Sequence, residues 1–265
     1  MIADSANTEH FRRDYAAHRA GEGRRLDLAT LRTLPYLRSG PLAKQWVVRA
    51  RTFDVFLHRV VRPLAAELGR PLRTVDLGAG NGWLSYRLAC EGHGGTAIDI
   101  RDDHVDGLGA ARPLLAETGV ACHVGNFDVL PLDDGSADLA VFNASLHYAT
   151  DLAATLAEAA RVVRRGGRIA VLDSPFYRSA ADGDAMVAEK HATAATRFGD
   201  RAESLLALPF IEYLTLDRLL GARPGLQWRR HAVRYPLWYE ARPLLAVLRG
   251  RRRPSRFDLW VAEVA

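Results

Sequence analysis

From 42 to 68 the apolar residues Trp46, Phe53, Phe56, Leu57, Val60 and Leu64 recur at helical intervals, which places them on one face of an α-helix. Gly69 and Pro71 stop the pattern, and Pro63 predicts a kink or a division of the helix. The residues before it are polar and interrupted by Gly21, Gly23, Pro35, Gly40 and Pro41, so they predict short helices packed as a cap on a larger body. After Pro71 the pattern changes to short apolar runs that alternate with helical periodicity, the signature of βαβ units around a parallel sheet. Strands are expected at 72–77, 96–100, 121–124, 139–143 and 168–173, with helices at 83–91 and 108–117. A third helix is expected after Asp151 as N-cap, with Leu152, Leu156, Ala159 and Val163 turned inward and Gly166 at its end. The stretch 174–210 has little periodicity and predicts an insertion covering the sheet edge. Beyond it come a helix at 212–220 and two strands, 226–235 and 257–264, the last alternating as an antiparallel strand exposed on one side would.

The domain division that follows is an N-terminal helical cap at 1–69 and an α/β body at 70–265. At 265 residues and 48% hydrophobic composition the chain buries a sizeable core. Cys90 and Cys122 are its only cysteines, which excludes a disulfide framework and reads as two small core residues in a reducing compartment. The N-terminus has no basic and apolar leader, and no apolar run reaches the roughly 18 residues of a membrane span. A cytoplasmic protein with no membrane partner is expected. The net charge is +5, and 34 of the 36 basic residues are arginine. They are spread along the whole chain rather than gathered into a stripe, which argues against a nucleic-acid partner. No His-Glu-x-x-His or Cys-x-x-Cys pattern is present, so no metal is expected.

The chemistry is concentrated in Val75-Asp-Leu-Gly-Ala-Gly-Asn-Gly82, a strand running into a glycine turn and then a helix. Glycines at 78, 80 and 82 permit a tight turn and a close approach of backbone to ligand. A dinucleotide fingerprint would place pyrophosphate at the helix N-terminus, but Asp76 at the strand end would repel it and suits a cationic ligand. This disfavours a dehydrogenase. The plainer alternative for Asp76 is a cap for the following helix.

This segment resembles the first motif of class I S-adenosylmethionine-dependent methyltransferases. Asp99, ending Thr96-Ala-Ile-Asp, stands where that family's acidic residue holds both ribose hydroxyls. Gly125-Asn-Phe-Asp-Val-Leu-Pro-Leu is similar to the family's Gly-Asp-Ala-Glu-x-Leu-Pro-Phe segment, and Glu158-Ala-Ala-Arg-Val-Val-Arg-Arg-Gly-Gly-Arg-Ile-Ala-Val171 to its helix, glycine turn and fifth strand. The resemblance implies a Rossmann-like α/β fold with a seven-stranded, mostly parallel sheet whose last pair is antiparallel at the edge. It also implies S-adenosyl-L-methionine as cofactor, held by Asp76, Gly78, Ala79, Gly80, Gly82, Asp99, Ile100, Asn126, Phe127, Asp128 and Asn143. Asn126 replaces a frequent aspartate there and accepts from the adenine amino group through its carbonyl oxygen, with Asp128 an adjacent candidate.

Ligands of open α/β sheets bind outside the carboxyl ends of the strands, which turns Asn143, His147 and Tyr148 toward an acceptor site. His147 is the candidate base, Asn143 a candidate for positioning, and Tyr177, turned by Pro175 toward the same lip, a candidate to orient the acceptor or meet the sulfonium. The plainer reading of His147 and Tyr177 is packing. Phe142 and Phe176 are expected to shape the pocket, and Asp173 is a strand-end acid or a turn residue. Glu189, Lys190 and His191 read chiefly as a solvated face, and Tyr15, Tyr36, Trp46, Arg49 and Arg51 are the cap residues available to close the site. The expected activity is methyl transfer to oxygen, nitrogen or carbon of a small molecule. A cyclase or lyase releasing methylthioadenosine and an RNA methyltransferase or RNA-binding module are the alternatives. The acceptor and the oligomeric state are not legible in the sequence.

Overall fold

A computed structural model describes residues 6–265; the first five, on which the reading of the N-terminus depends, lie outside the described residues. The chain opens with helices α1 (Ala6–Gly21), α2 (Leu28–Thr33) and α3 (Ala43–Phe56), continues through a π turn (Leu57–Val61) into α4 (Arg62–Leu68), and then enters the sheet at β1 (Arg73–Leu77). There follow α5 (Trp83–Cys90), β2 (Gly94–Asp99), α6 (Leu108–Ala116), β3 (Ala121–Val124), β4 (Ala137–Asn143), α7 (Leu152–Val162) and β5 (Val163–Leu172). The remainder is α8 (Ala180–Ala192), α9 (Ala194–Phe198), α10 (Ala202–Leu206), α11 (Leu216–Ala222), β6 (Gln227–His231), α12 (Leu237–Glu240), α13 (Arg242–Leu248) and β7 (Leu259–Glu263).

The strands lie in the order β3-β2-β1-β4-β5-β7-β6. The first five are mutually parallel, while β7 runs antiparallel to both β5 and β6. This is the expected Rossmann-like sheet with its antiparallel pair at the edge. β1 and β4 are buried along nearly their whole length because both their faces are covered. One core unites Phe53, Phe56, Val60 and Leu64 of the 43–68 helix with Leu84, Leu139, Val141, Leu172 and Leu259, and the other packs Leu156, Ala159 and Leu219 against Val75, Ala140 and Ile169. Full burial of each large aliphatic or aromatic side chain contributes about 1.5–3 kcal/mol, so the 43–68 helix is bound to the sheet as part of its own core.

Local departures from the sequence reading have identifiable causes. The helix is divided just before Pro63: a π turn at Leu57–Val61 separates α3 from α4, and Pro63 stands in the first turn of α4, where its missing amide costs little. Asp151 caps α7 as expected, accepting from the amides of Ala153 and Ala154 at 2.9 and 3.1 Å. Val163, however, already pairs with Ala137, and Gly166 at φ 69° lies within β5, where its amide bonds to Val264. The helix expected from 212 starts at Leu216, since Glu212 has a φ of 66° and Thr215 supplies the cap. β7 is buried on both faces rather than one, because Leu259 and Val261 pack into one core and Trp260 and Ala262 into the other, while β6 takes the sheet edge. Cys90 is exposed at the end of α5 and Cys122 half-buried on β3, so neither is a core residue.

The insertion is helical, and it does not follow the sheet edge. Its Ala194, Phe198, Leu205 and Leu208 pack around Phe11 of α1, forming a small separate core above the carboxyl ends of the strands. Among the described residues no helix is long and apolar enough to cross a membrane.

Candidate active site

The carboxyl ends of β1, β2, β4 and β5 open into a cavity of about 380 Å³, roofed by α1, α3 and the end of the insertion. Gly78 and Gly80 turn beneath it with φ of 78° and 53°. A Cβ on Gly78 would stand 2.4 Å from that of Ser145, so only glycine lets the loop after β4 close against the turn. The amides of Gly78 and Ala79 donate to the carbonyl of Ile98 at 2.8 and 3.0 Å, tying the turn to β2.

At one end of the cavity lies Asp99. One carboxylate oxygen accepts from the Gly80 amide at 2.7 Å and the other from the Arg101 amide at 2.8 Å. Burial raises its proton affinity, and the Arg101 guanidinium opposes that. Each oxygen keeps a free lone pair, so the pair can still accept two hydroxyl groups. Around it Arg101 donates to the carbonyl of Asp106 at 2.7 Å, Asn81 to the Asp106 carboxylate at 2.8 Å, and Arg19 of α1 to the same carboxylate at 2.9 Å. The guanidinium of Arg101 also sits 4.9 Å from the centre of the Tyr15 ring, which fastens the roof to the floor.

The other end is left polar and unpaired. Asn143 Oδ1, His147 Nδ1 and Asp173 Oδ1 are buried without a hydrogen-bond partner, although all three residues line the cavity. Such orphans are costly in a finished core and mark a place for a ligand. Burial pushes the Asp173 carboxyl up to about 6, against the attraction of Arg49. Its φ of 51° is a strained backbone position for a non-glycine residue. Burial and the nearby cations Lys190, Arg49 and Arg19 push His147 down to about 3. Arg49 lines this end with its guanidinium 5.1 Å from the Trp46 ring and has no hydrogen bond among the described residues, whereas Arg19 and Arg24 are both bonded to Glu22.

Of the expected residues, Gly78, Ala79, Gly80, Asp99, Ile100, Asn126, Phe127, Asp128, Asn143 and His147 line this one cavity, with Tyr148 and Asp173. Asp76 lies below the floor, receiving the Ser85 hydroxyl at 2.8 Å, and burial lifts its carboxyl to about 7. Gly82 does not reach the cavity; a Cβ there would stand 2.8 Å from Ala111, so its place is set by packing of α5 against α6. Tyr177 is also outside, because the chain after Pro175 pairs Phe176 with Leu214 and Arg256 and carries Tyr177 to the far side, where Arg252 donates to its hydroxyl at 3.3 Å. Phe142 and Phe176 are buried in the core behind. Of the cap candidates Tyr15, Trp46 and Arg49 reach the cavity, while Tyr36 bonds to Asp54 and Arg51 faces solvent. In the insertion Lys190 pairs with Glu212 at 2.5 Å and Glu189 with Arg252, and His191 is exposed. Sequence reading missed Asn81, Arg101, Asp106 and Phe210. The first stands inside the glycine motif and the next two follow the ribose acid closely, whereas nothing local marks Phe210.

This arrangement, with its strand order and its glycine turn under an acid-lined cavity, is that of the Rossmann-like methyltransferases. Residues 75–171 match the family described as "Methyltransferase domain". A stretch of 100 residues is 36% identical to an uncharacterized methyltransferase of Mycobacterium tuberculosis, covering 38% of this chain and 39% of that protein. Another of 105 residues is 33% identical to the malonyl-[acyl-carrier protein] O-methyltransferase of Erwinia pyrifoliae, covering 39% and 38%. The matched segment thus spans about two fifths of the length of these relatives. Among solved structures, geranyl diphosphate C-methyltransferase of Streptomyces coelicolor, in complex with Mg2+, geranyl diphosphate and S-adenosyl-L-homocysteine, superposes with a TM-score of 0.55 at 14% identity over 98% of this chain and 99% of that one. Residues 75–171 are thus similar to a methyltransferase domain, within a chain that has the class I S-adenosylmethionine-dependent methyltransferase fold.

Proposed function

We propose that this protein transfers the methyl group of S-adenosyl-L-methionine to a nucleophilic atom of a small molecule. The observation that carries the reading is the cavity itself, with a paired carboxylate at one end, orphaned polar atoms at the other and a glycine turn between them. Asp99 has the free lone pairs to accept both ribose hydroxyls, and Asn126, Phe127 and Asp128 wall the adenine side. The buried carboxylates match a cationic cofactor, and the glycine turn admits its aminobutyryl chain. The sulfonium, when bound, supplies an already activated methyl group, so alignment and exclusion of water are the protein's main tasks.

The acceptor then occupies the end over β4 and β5. Phe210 roofs it, with its ring 5.1 Å from Phe11 and 5.3 Å from Tyr148, and keeps water out. Asp173 is better poised than His147 to take a proton from an attacking hydroxyl or amine. A carboxyl near 6 is largely ionised at neutral pH yet still basic, whereas an imidazole near 3 hardly holds a proton. His147 remains neutral and presents an unpaired Nδ1 to the acceptor. Arg49 supplies a cation beside Asp173 for an electron-rich group of the acceptor.

The test is incubation with methyl-labelled S-adenosylmethionine and a metabolite and RNA extract, followed by mass spectrometry. Label on a small molecule with S-adenosylhomocysteine formed is the expected result. Label on RNA would overturn the small-molecule assignment, and methylthioadenosine formed without an acceptor would make the cofactor itself the substrate.

A further inference from the structure

Helix α13 contains no buried residue, although most of it is apolar. Leu244, Leu245, Val247 and Leu248 are 64, 43, 50 and 73% exposed, and Leu237 and Trp238 of α12 are 87 and 47% exposed. Soluble surfaces scatter such side chains singly, and six together in one short stretch mark an interaction surface. The loop that follows is Arg249-Gly-Arg-Arg-Arg253, in which Arg249, Arg251 and Arg253 are exposed and none of their guanidinium groups pairs with a carboxylate among the described residues. The Arg252 guanidinium is tied down, to Glu189 at 2.8 Å and to the Tyr177 hydroxyl at 3.3 Å, and the Arg253 amide donates to Asp182 at 3.1 Å, which anchors the loop to the body. The nearest acid on α12, Glu240, is taken up by Arg256 at 2.6 Å. Between α13 and the sheet edge runs an open groove whose walls include Pro243, Val247, Trp260, Arg230 and Arg253.

We propose that α12, α13 and the arginine loop dock this protein on an anionic phospholipid surface. Apolar side chains flanked by a tryptophan and by unpaired arginines fit the boundary between acyl chains and negatively charged headgroups. The leucines enter the acyl layer and the arginines meet the phosphates, so one face satisfies both halves of the patch. The attachment is peripheral, and it revises the sequence expectation of no membrane partner. A few residues beyond Arg253 the same chain supplies Ser255 and Phe257 to the wall of the active-site cavity, so docking places the cavity close to the bilayer.

The test is co-sedimentation of the full chain with vesicles of phosphatidylglycerol and phosphatidylcholine in equal parts, and with phosphatidylcholine alone, at low and physiological salt. The protein is expected to pellet with the anionic vesicles, less so as salt rises, and not with the neutral ones. The triple variant Arg249→Gln, Arg251→Gln, Arg253→Gln should lower partitioning by about tenfold or more, and Leu244→Ser with Leu248→Ser should abolish it. All five positions are exposed and none lines the active-site cavity, so S-adenosylhomocysteine affinity should stay unchanged and report correct folding. Failure to bind either vesicle, equal binding to both, or binding unchanged in both variants would overturn the proposal. So would a concentration-dependent dimer lost with the leucine variants, or binding to polyglutamate in place of vesicles; these would make the patch a subunit interface or a site for an acidic protein.

Discussion

The hydroxyls of Tyr15 and Tyr148 share a hydrogen bond of 2.7 Å, although the two residues are 133 positions apart. It joins the first helix to the turn after β4, so in the proposed reading α1 acts as a lid over the acceptor end of the cavity. Tyr15 also lies under Arg101 and stacks on Phe11 at 5.2 Å, so one side chain couples the insertion core to the cofactor end. Lids of this kind sequester the reacting groups and set the rate of opening. Tyr15→Phe keeps the ring and removes the bond, at a cost of about 1 kcal/mol, so S-adenosylhomocysteine affinity should fall several-fold and proteolysis at α1 should quicken. Unchanged values in calorimetry and in limited digestion would show that the lid does not depend on this contact.

Asp99 should be the most sensitive position for cofactor binding. Its carboxylate is fixed by two backbone amides, so a ligand hydroxyl meets an oriented acceptor that costs little to arrange. Asp99→Ala removes charge-assisted hydrogen bonds of about 1.5–3 kcal/mol, and calorimetry with S-adenosylhomocysteine should show at least a tenfold loss. Asp99→Asn, which keeps the shape, separates the charge from the packing. Wild-type affinity in a folded Asp99→Ala protein would remove this residue from the site.

If Asp173 takes the acceptor proton, the rate should rise with pH through about 6 and level above it, because the carboxyl must be ionised to act. Asp173→Asn should lower kcat by about 10²–10⁴ and abolish that limb. His147→Gln should lower kcat only slightly and leave the pH profile in place, since the imidazole is already neutral across this range. The reverse pattern, a lost limb in His147→Gln and a retained one in Asp173→Asn, would return the role to the histidine.

The sheet and the cofactor side were legible because their rules are local. Strand periodicity, the glycine turn and the spacing to Asp99 depend on neighbours in sequence, and ten of the expected cofactor and acceptor residues do line one cavity. What escaped depended on contacts between distant segments. Tyr177 was expected at the lip from its distance past Pro175, but the bridges from Phe176 to Leu214 and Arg256 decide where it points, and both partners come from far downstream. Gly82 looks like a ligand glycine in the motif, yet its need for a bare Cα comes from Ala111 on the next helix. The helices of the insertion have weak periodicity because they pack in part on Phe11, at the other end of the chain. Asp173 and His147 were both visible as residues; their opposite shifts in proton affinity, on which the proposed division of roles rests, come from burial and neighbouring charge, which no local pattern records.

Asp76 gives a test that needs no substrate. Its carboxyl is buried below the cavity and lifted to about 7 in the folded protein, while in the unfolded chain it releases its proton near 3.8. Between those values the folded state binds more protons than the unfolded one, so this residue's contribution is fully present below about pH 4 and is lost as pH rises through about 7. At about 1.36 kcal/mol per unit the loss amounts to at most about 4 kcal/mol. Asp76→Asn keeps the contact to Ser85 but cannot ionise, so its stability should not carry this slope. Asp173 adds a slope of the same sign and His147 one of opposite sign, but both are common to the two proteins and cancel in the difference. Thermal unfolding from pH 4.5 to 7.5 should therefore show the variant gaining on the wild type as pH rises. Parallel curves would mean that Asp76 is already ionised in the fold at low pH and that a cation, rather than a proton, balances it there.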